Sequence, residues 1–182
     1  INEYLFKPAL PILTKDTKER YPNNKVLVNT AFGLSRRLLS EEKDYLEDKF
    51  SEVYEDPNIG KMKVSCFVFK RRVKDWDAKK TKEEISKRYF KNRMSVMFTL
   101  NGQVHGHYTS EFITRSLKMN LLKNYLLIHV DCTDIKYEFR KELFMASRDR
   151  LKEGEETQYL RRFLSTQLSK SGSRLREIEK RR

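Results

Sequence analysis

A chain of 182 residues with 38% hydrophobic and 12% aromatic content can bury the core of one domain, and four prolines with six glycines exclude disorder throughout. Lys and Arg number 39 against 26 Asp and Glu, a formal net charge of +13, which favours polyanionic partners: nucleic acid, nucleotide phosphates or an acidic protein. No apolar run reaches membrane-spanning length and no signal-peptide pattern is visible, so no membrane partner is expected and a cytoplasmic location is.

The chain begins INEYLFKPALPIL, without a methionine, and this apolar stretch reads as the interior of a longer polypeptide. Pro8 and Pro11 exclude a long helix there, so residues 1–24 are expected to form an extended linker from an upstream domain. Lys25 to Leu34 alternates and is rich in β-branched residues, which predicts a strand. A helix is predicted from Glu41 to about Tyr54, capped by Ser40, with Leu46, Phe50 and Val53 on its apolar face. Asp56, Pro57, Asn58 and Gly60 end it. Lys61 to Arg72 predicts a strong strand, with Met62, Val64, Cys66 and Val68 on one side and Lys63, Ser65, Phe67 and Phe69 on the other.

Residues 73–92 are charged and read as an excursion from the sheet, with a helix starting near Thr81. Between Lys61 and Arg93 there are thirteen Lys and Arg against four Asp and Glu, a balance of +9 that holds most of the net charge. Met94 to Leu100, the turn Asn101-Gly102 and Gln103 to His107 predict a β-hairpin, because both turn residues tolerate positive φ. A helix should follow, with Thr109 as N-cap, Glu111 in its first turn and Ile113, Leu117 and Leu121 on one face. Tyr125 to Val130 reads as one buried strand. Asp134 is placed as the cap of a short helix carrying Phe139 and Leu143. A polar turn, FMASRDRLKEGEE, precedes a last helix from about Glu155 to Leu168, with Leu160, Phe163, Leu164 and Leu168 as its stripe. Residues 170–182 read as a frayed basic tail. The predicted architecture for 25–169 is therefore α+β: a single mixed sheet of four to five strands with helices on one face.

Chemistry-bearing motifs are sparse. There is no GxxxxGK[ST], no GxGxxG after a strand and no nucleophile elbow. His105 and His107, two apart on a strand, would share a face; a zinc pair is one reading and packing histidines the simpler one. His129 in a buried strand reads as structural. Asp131 reads as a loop-orienting carboxylate, or with those two histidines as part of an enzyme site. Cys66 and Cys132 read as small core residues in a reducing compartment. The turn Ser147-Arg148-Asp149-Arg150 presents two arginines between helices, and a guanidinium fork suits phosphate. The basic segment, with Lys70, Arg71, Arg72, Lys74, Trp76, Lys79, Lys80, Lys87 and Arg88, and with Tyr89 and Phe90 interleaved, is a candidate nucleic-acid surface.

The segment LNGQVHGHYTSEFITRSL resembles the strand, Asn-Gly turn, strand and helix of the transducer domain in GHKL (histidine-kinase-like) ATPases, where mismatch-repair members read FVNGRPV. Leu127 to Asp131 is similar to the next strand of those proteins, and MASRDRLKEGEETQYLRRFL to their HPTKKEVRF turn and terminal helix. The resemblance covers about residues 61–168 and is nearest to bacterial members related to the MORC group, several of which serve in DNA restriction or phage defence. It implies a ribosomal-protein-like left-handed βαβ fold, an upstream GHKL ATPase domain holding ATP and Mg, DNA-directed work and a homodimer of the intact protein. It places Arg148 on the lysine that reaches the γ-phosphate, with Arg150 beside it. A simpler register gives that role to Arg140 or Lys141, as in type II topoisomerases. The chain departs from the family in having arginine for lysine and an added helix over 136–145. Its own sequence lacks the GHKL nucleotide motifs, so it is expected to be non-catalytic alone, with no cofactor of its own.

Overall fold

A computed structural model describes residues 6–7, 12–15, 28–31, 33–41, 43–73, 76–90, 93–147 and 150–182, with backbone only at 12–15, 28–31 and 41. Its strands are β1 (Ile12–Lys15), β2 (Val28–Ala31), β3 (Leu46–Asp56), β4 (Gly60–Phe69), β5 (Met94–Leu100), β6 (Gln103–Thr109) and β7 (Leu126–Asp131). Its helices are α1 (Gly33–Arg36), α2 (Ala78–Tyr89), α3 (Tyr137–Leu143), α4 (Glu155–Leu168) and α5 (Arg174–Lys180). β1 and β2 form a separate antiparallel ribbon; the main sheet runs β3-β4-β7-β5-β6. Among the described strands only the β5–β7 pair is parallel, so the sheet is mixed and the class is α+β.

The hairpin β5–β6 turns on Asn101 (φ 50°) and Gly102 (φ 80°), the two left-handed positions that an Asn-Gly pair supplies at low cost. The Gly102 carbonyl accepts the Phe6 amide at 2.8 Å, which ties the N-terminal segment to the turn. A side chain at 102 would meet the Lys7 carbonyl oxygen at 1.6 Å, so this close approach needs glycine.

β4, β5 and β7 are apolar on both sides, and helices accordingly cover both. Met62, Val64, Cys66 and Val68 of β4 join Val96, Phe98, Ile128 and Val130 beneath α3, α4 and α5. On the other side Phe67, Phe69, Met97 and Leu127 pack under Leu34, Leu38, Ile85 and Tyr89. Helices on one face alone, as expected from the sequence, would leave those phenylalanines in water.

Three further expectations are corrected. The stretch read as a helix over 41–54 is largely β3. Phe50 and Tyr54, four residues apart, share one side of a helix and equally one side of a strand, while a bulge between Leu46 and Asp48 turns Leu46 to the opposite core. Val53, needed for the helical face, is 59% exposed, while Phe50 and Tyr54 pack on the core. The Asp56 carboxylate accepts the amides of Asn58 (2.8 Å) and Ile59 (3.0 Å) and so builds a hairpin turn into β4. After β6 the chain makes a wide turn, with the Leu117 amide donating to the Phe112 carbonyl, and leaves helical geometry at Lys118 (φ 55°). Thr109 lies within β6 and does not cap that turn, while Met119 and Leu122 turn inward and Leu121 is 51% exposed.

Residues 170–182 are a docked element. Ser173 caps α5, Leu175 and Ile178 are buried, and Arg174 forks both oxygens of Asp48 at 2.6 and 2.8 Å. Arg182 bonds Glu47 at 2.5 Å and the Phe69 carbonyl, so the strap closes over the edge strand β3.

Candidate phosphate and nucleic-acid contacts

The turn after α3 is clamped at its base. α3 begins after Lys136, without the expected Asp134 cap, and buries Phe139 and Leu143. Phe144 and Leu151 then pair as an antiparallel bridge, and both are buried in the core. The Lys152 amide donates to the Leu143 carbonyl (2.9 Å), and its ammonium reaches the Lys141 carbonyl (2.8 Å) and the Glu142 carboxylate (3.6 Å). Gly106 of β6 makes room: a Cβ there would lie 2.5 Å from Leu151 Cδ2. The loop between these anchors is exposed at Ala146, Ser147 and Arg150. Arg148 and Asp149 lie outside the described residues. Of the other phosphate candidates, Lys141 is exposed, and Arg140 is half-buried with its guanidinium 5.6 Å above the Tyr137 ring. The clamp itself escaped the sequence reading, which saw only a polar turn. Its trace was the apolar pair Phe144 and Leu151 flanking a charged run.

The second surface is built on α2. Asp77 accepts the Lys80 amide at 2.7 Å and starts the helix before Thr81, the position read from the sequence. Thr81, Ile85 and Tyr89 turn inward, while Lys79, Lys80 and Lys87 stand in solvent. Lys70, Arg71 and Arg72, beyond the end of β4, are exposed as well; Lys74 lies outside the described residues. Half-exposed Trp76 sits 6.0 Å from Tyr45, centroid to centroid. The Arg88 guanidinium lies 5.2 Å from the Tyr45 ring and 6.0 Å from Trp76, and the Lys80 ammonium 5.5 Å from Trp76. Arg88 also pairs with Glu84 at 3.2 Å, which fixes its plane. Tyr89 and Phe90, expected to interleave with the cations, are buried at 4% and 9% exposure and cannot stack on a base. The ring beside Trp76 is instead Tyr45. It comes from the segment before β3, too distant in sequence to be associated with the basic run.

The histidines do not form a metal pair. β6 bulges opposite Phe98 and Thr99, inserting an extra residue and reversing the alternation. His107 therefore lies opposite Met97 of one core, while His105 meets the Phe144 ring of the other at 5.7 Å. No group of three metal-ligating side chains occurs among the described residues. Asp131 accepts the Thr133 amide (3.0 Å) and hydroxyl (2.5 Å), a loop-orienting carboxylate. His129 is buried, stacked 3.5 Å from Phe6, and shares a 2.8 Å hydrogen bond with Thr99. Burial holds its pKa down to about 4. Cys66 and Cys132 are free and buried, and burial pushes both thiols up, away from the reactive thiolate.

No helix among the described residues is long and apolar enough to cross a membrane. The chain matches no protein-family model, no curated protein and no solved structure.

Proposed function

We propose that this chain is a non-catalytic, transducer-type module of a larger GHKL-type ATPase, reading the γ-phosphate of ATP held by a neighbouring domain. One observation carries this reading: the Phe144–Leu151 bridge roots a basic turn in the core and leaves Arg150 exposed. A cation on a rigid base donates charge-assisted hydrogen bonds to phosphate at little ordering cost. When the phosphate leaves, the contact is lost and the module is free to rotate against its neighbour, a familiar switch. ATP and Mg belong to that neighbour. The resemblance to bacterial MORC-related proteins extends the proposal to a cytoplasmic homodimer that works on DNA.

In the protein carrying both domains, Arg148→Ala and Arg150→Ala are the deciding variants. One of them is expected to lower ATP turnover about 100-fold, the loss typical of one donor aimed at developing charge. The urea unfolding midpoint of this module should stay unchanged. Normal turnover in both moves the role to Arg140 or Lys141, and normal turnover in all four variants removes it.

A second reading is favoured by the α2 surface: a nucleic-acid-binding module in its own right. Trp76 and Tyr45 offer ring faces among Lys79, Lys80, Lys87 and Arg88, the combination that binds single strands by stacking and phosphate contact. The two readings are compatible, because the α2 surface and the 144–151 turn use different residues.

A further inference from the structure

A cleft of about 360 Å³ opens between the end of α2, the start of β5 and the loop before β7. Its walls carry Arg93 and Lys123, the hydroxyls of Ser86, Ser95 and Ser110, and the amide of Asn124. All of these can donate hydrogen bonds, two are cations, and no carboxylate of a described residue lines the space. Neither cation is ion-paired with a described residue.

Ser95 supplies the more pointed observation. The β5–β6 ladder bulges between Met94 and Val96, so Ser95 is the extra residue, and its side chain is re-aimed as bulges do. Ser95 lines the cleft, and its hydroxyl is fully buried with no hydrogen-bond partner among the described residues. A buried hydroxyl left unpaired is costly, and a ligand acceptor would relieve it. Arg93 beside it holds the left-handed region (φ 59°), an uncommon conformation for a non-glycine residue.

We infer that this cleft is a binding site for a phosphate monoester, with Arg93 and Lys123 neutralising the anion, Ser95 donating to one of its oxygens, and Phe90 flooring the space beside it for the ester group. The volume exceeds that of a bare phosphoryl group and falls in the range of small-ligand sites. The site lies at the N-terminal ends of the parallel strands β5 and β7, whereas the 144–151 turn follows the C-terminal end of β7. It therefore does not depend on the sensing role proposed for that turn.

Two sources share this chemistry, a free nucleotide and the 5′ end of a nucleic acid. Calorimetric titration of the 182-residue chain with AMP and with adenosine, and with one oligonucleotide bearing a 5′-phosphate or a 5′-hydroxyl, separates them at fixed ionic strength. The phosphorylated member of at least one pair should bind about tenfold tighter or better. AMP alone assigns a small nucleotide, and the phosphorylated oligonucleotide alone assigns a strand end. Ser95→Ala should weaken that binding about tenfold while melting no lower than the native chain, because it deletes an unpaired group. Lys123→Gln should weaken it similarly. Equal affinity within both pairs, no binding of any of the four, or phosphate-dependent binding untouched by Ser95→Ala and Lys123→Gln would each overturn the inference.

Discussion

Between pH 6.5 and pH 4 the module is expected to lose roughly 3 kcal/mol of stability through one residue, His129. Its imidazole is buried against Phe6 and bonded to Thr99, and its pKa is held down to about 4. Desolvation is the main cause; Lys63 adds to it and Asp131 opposes it. In the unfolded chain the same ring titrates near 6.5. Within that window the unfolded state binds a proton that the folded state refuses, so stability rises with pH and is lost on acidification. Below about pH 4 both states are protonated and this contribution levels off. The shift of some two and a half units, at about 1.4 kcal/mol each, sets the magnitude. Urea unfolding at pH 7 and pH 4.5 measures it. His129→Gln, which keeps an amide within reach of Thr99, should abolish most of the difference. The same pH dependence in His129→Gln would place the acid sensitivity elsewhere.

Affinity for nucleic acid is expected to fall about 1000-fold when salt rises from 50 to 200 mM, if six phosphates are neutralised. The six cations are Lys70, Arg71, Arg72, Lys79, Lys80 and Lys87, all exposed around α2 and the end of β4. Each releases a condensed counterion, so the slope of log K against log salt counts the contacts. Changing Lys79, Lys80 and Lys87 together to glutamine should reduce that slope by about three without selecting among sequences. Trp76→Ala acts differently. It removes a stacking face, should weaken single-strand binding about tenfold or more, and should leave the slope in place. Fluorescence anisotropy over a salt series reads both effects. Absence of binding at 50 mM salt would leave the basic surface as a device for solubility or for an acidic protein partner.

Local chemistry explains which parts of this structure could be read from its residues. The Asn101-Gly102 hairpin was legible because its turn type demands those two residues. β4 was legible from its alternation and β7 from its apolar run, and α4 because Leu160, Leu164 and Leu168 kept one helical stripe. β3 was not, because Phe50 and Tyr54 fit both periods, and only pairing with β4 decides between them. α5 was missed because its burial rests on Leu175 and Ile178 amid charges whose partners, Asp48 and Glu47, lie on β3. The cation-rich surface was legible as charge, but its aromatic half was misassigned. Tyr89 faces inward on α2, and Tyr45 arrives from a distant segment. The expectation that His105 and His107 share a face failed because an unforeseen bulge turned one ring over. The 144–151 turn was legible only as a polar run, while the buried Phe144–Leu151 bridge at its base depends on contacts between β6 and residues some forty positions on.

Amide hydrogen exchange tests the proposed phosphate contact at the 144–151 turn without relying on catalysis. In the protein carrying both domains, a non-hydrolysable ATP analogue should slow exchange across residues 145–150 about tenfold or more relative to ADP, with the β5–β6 hairpin unchanged. Identical exchange across that turn with the triphosphate analogue and with ADP would contradict a γ-phosphate sensor built on it.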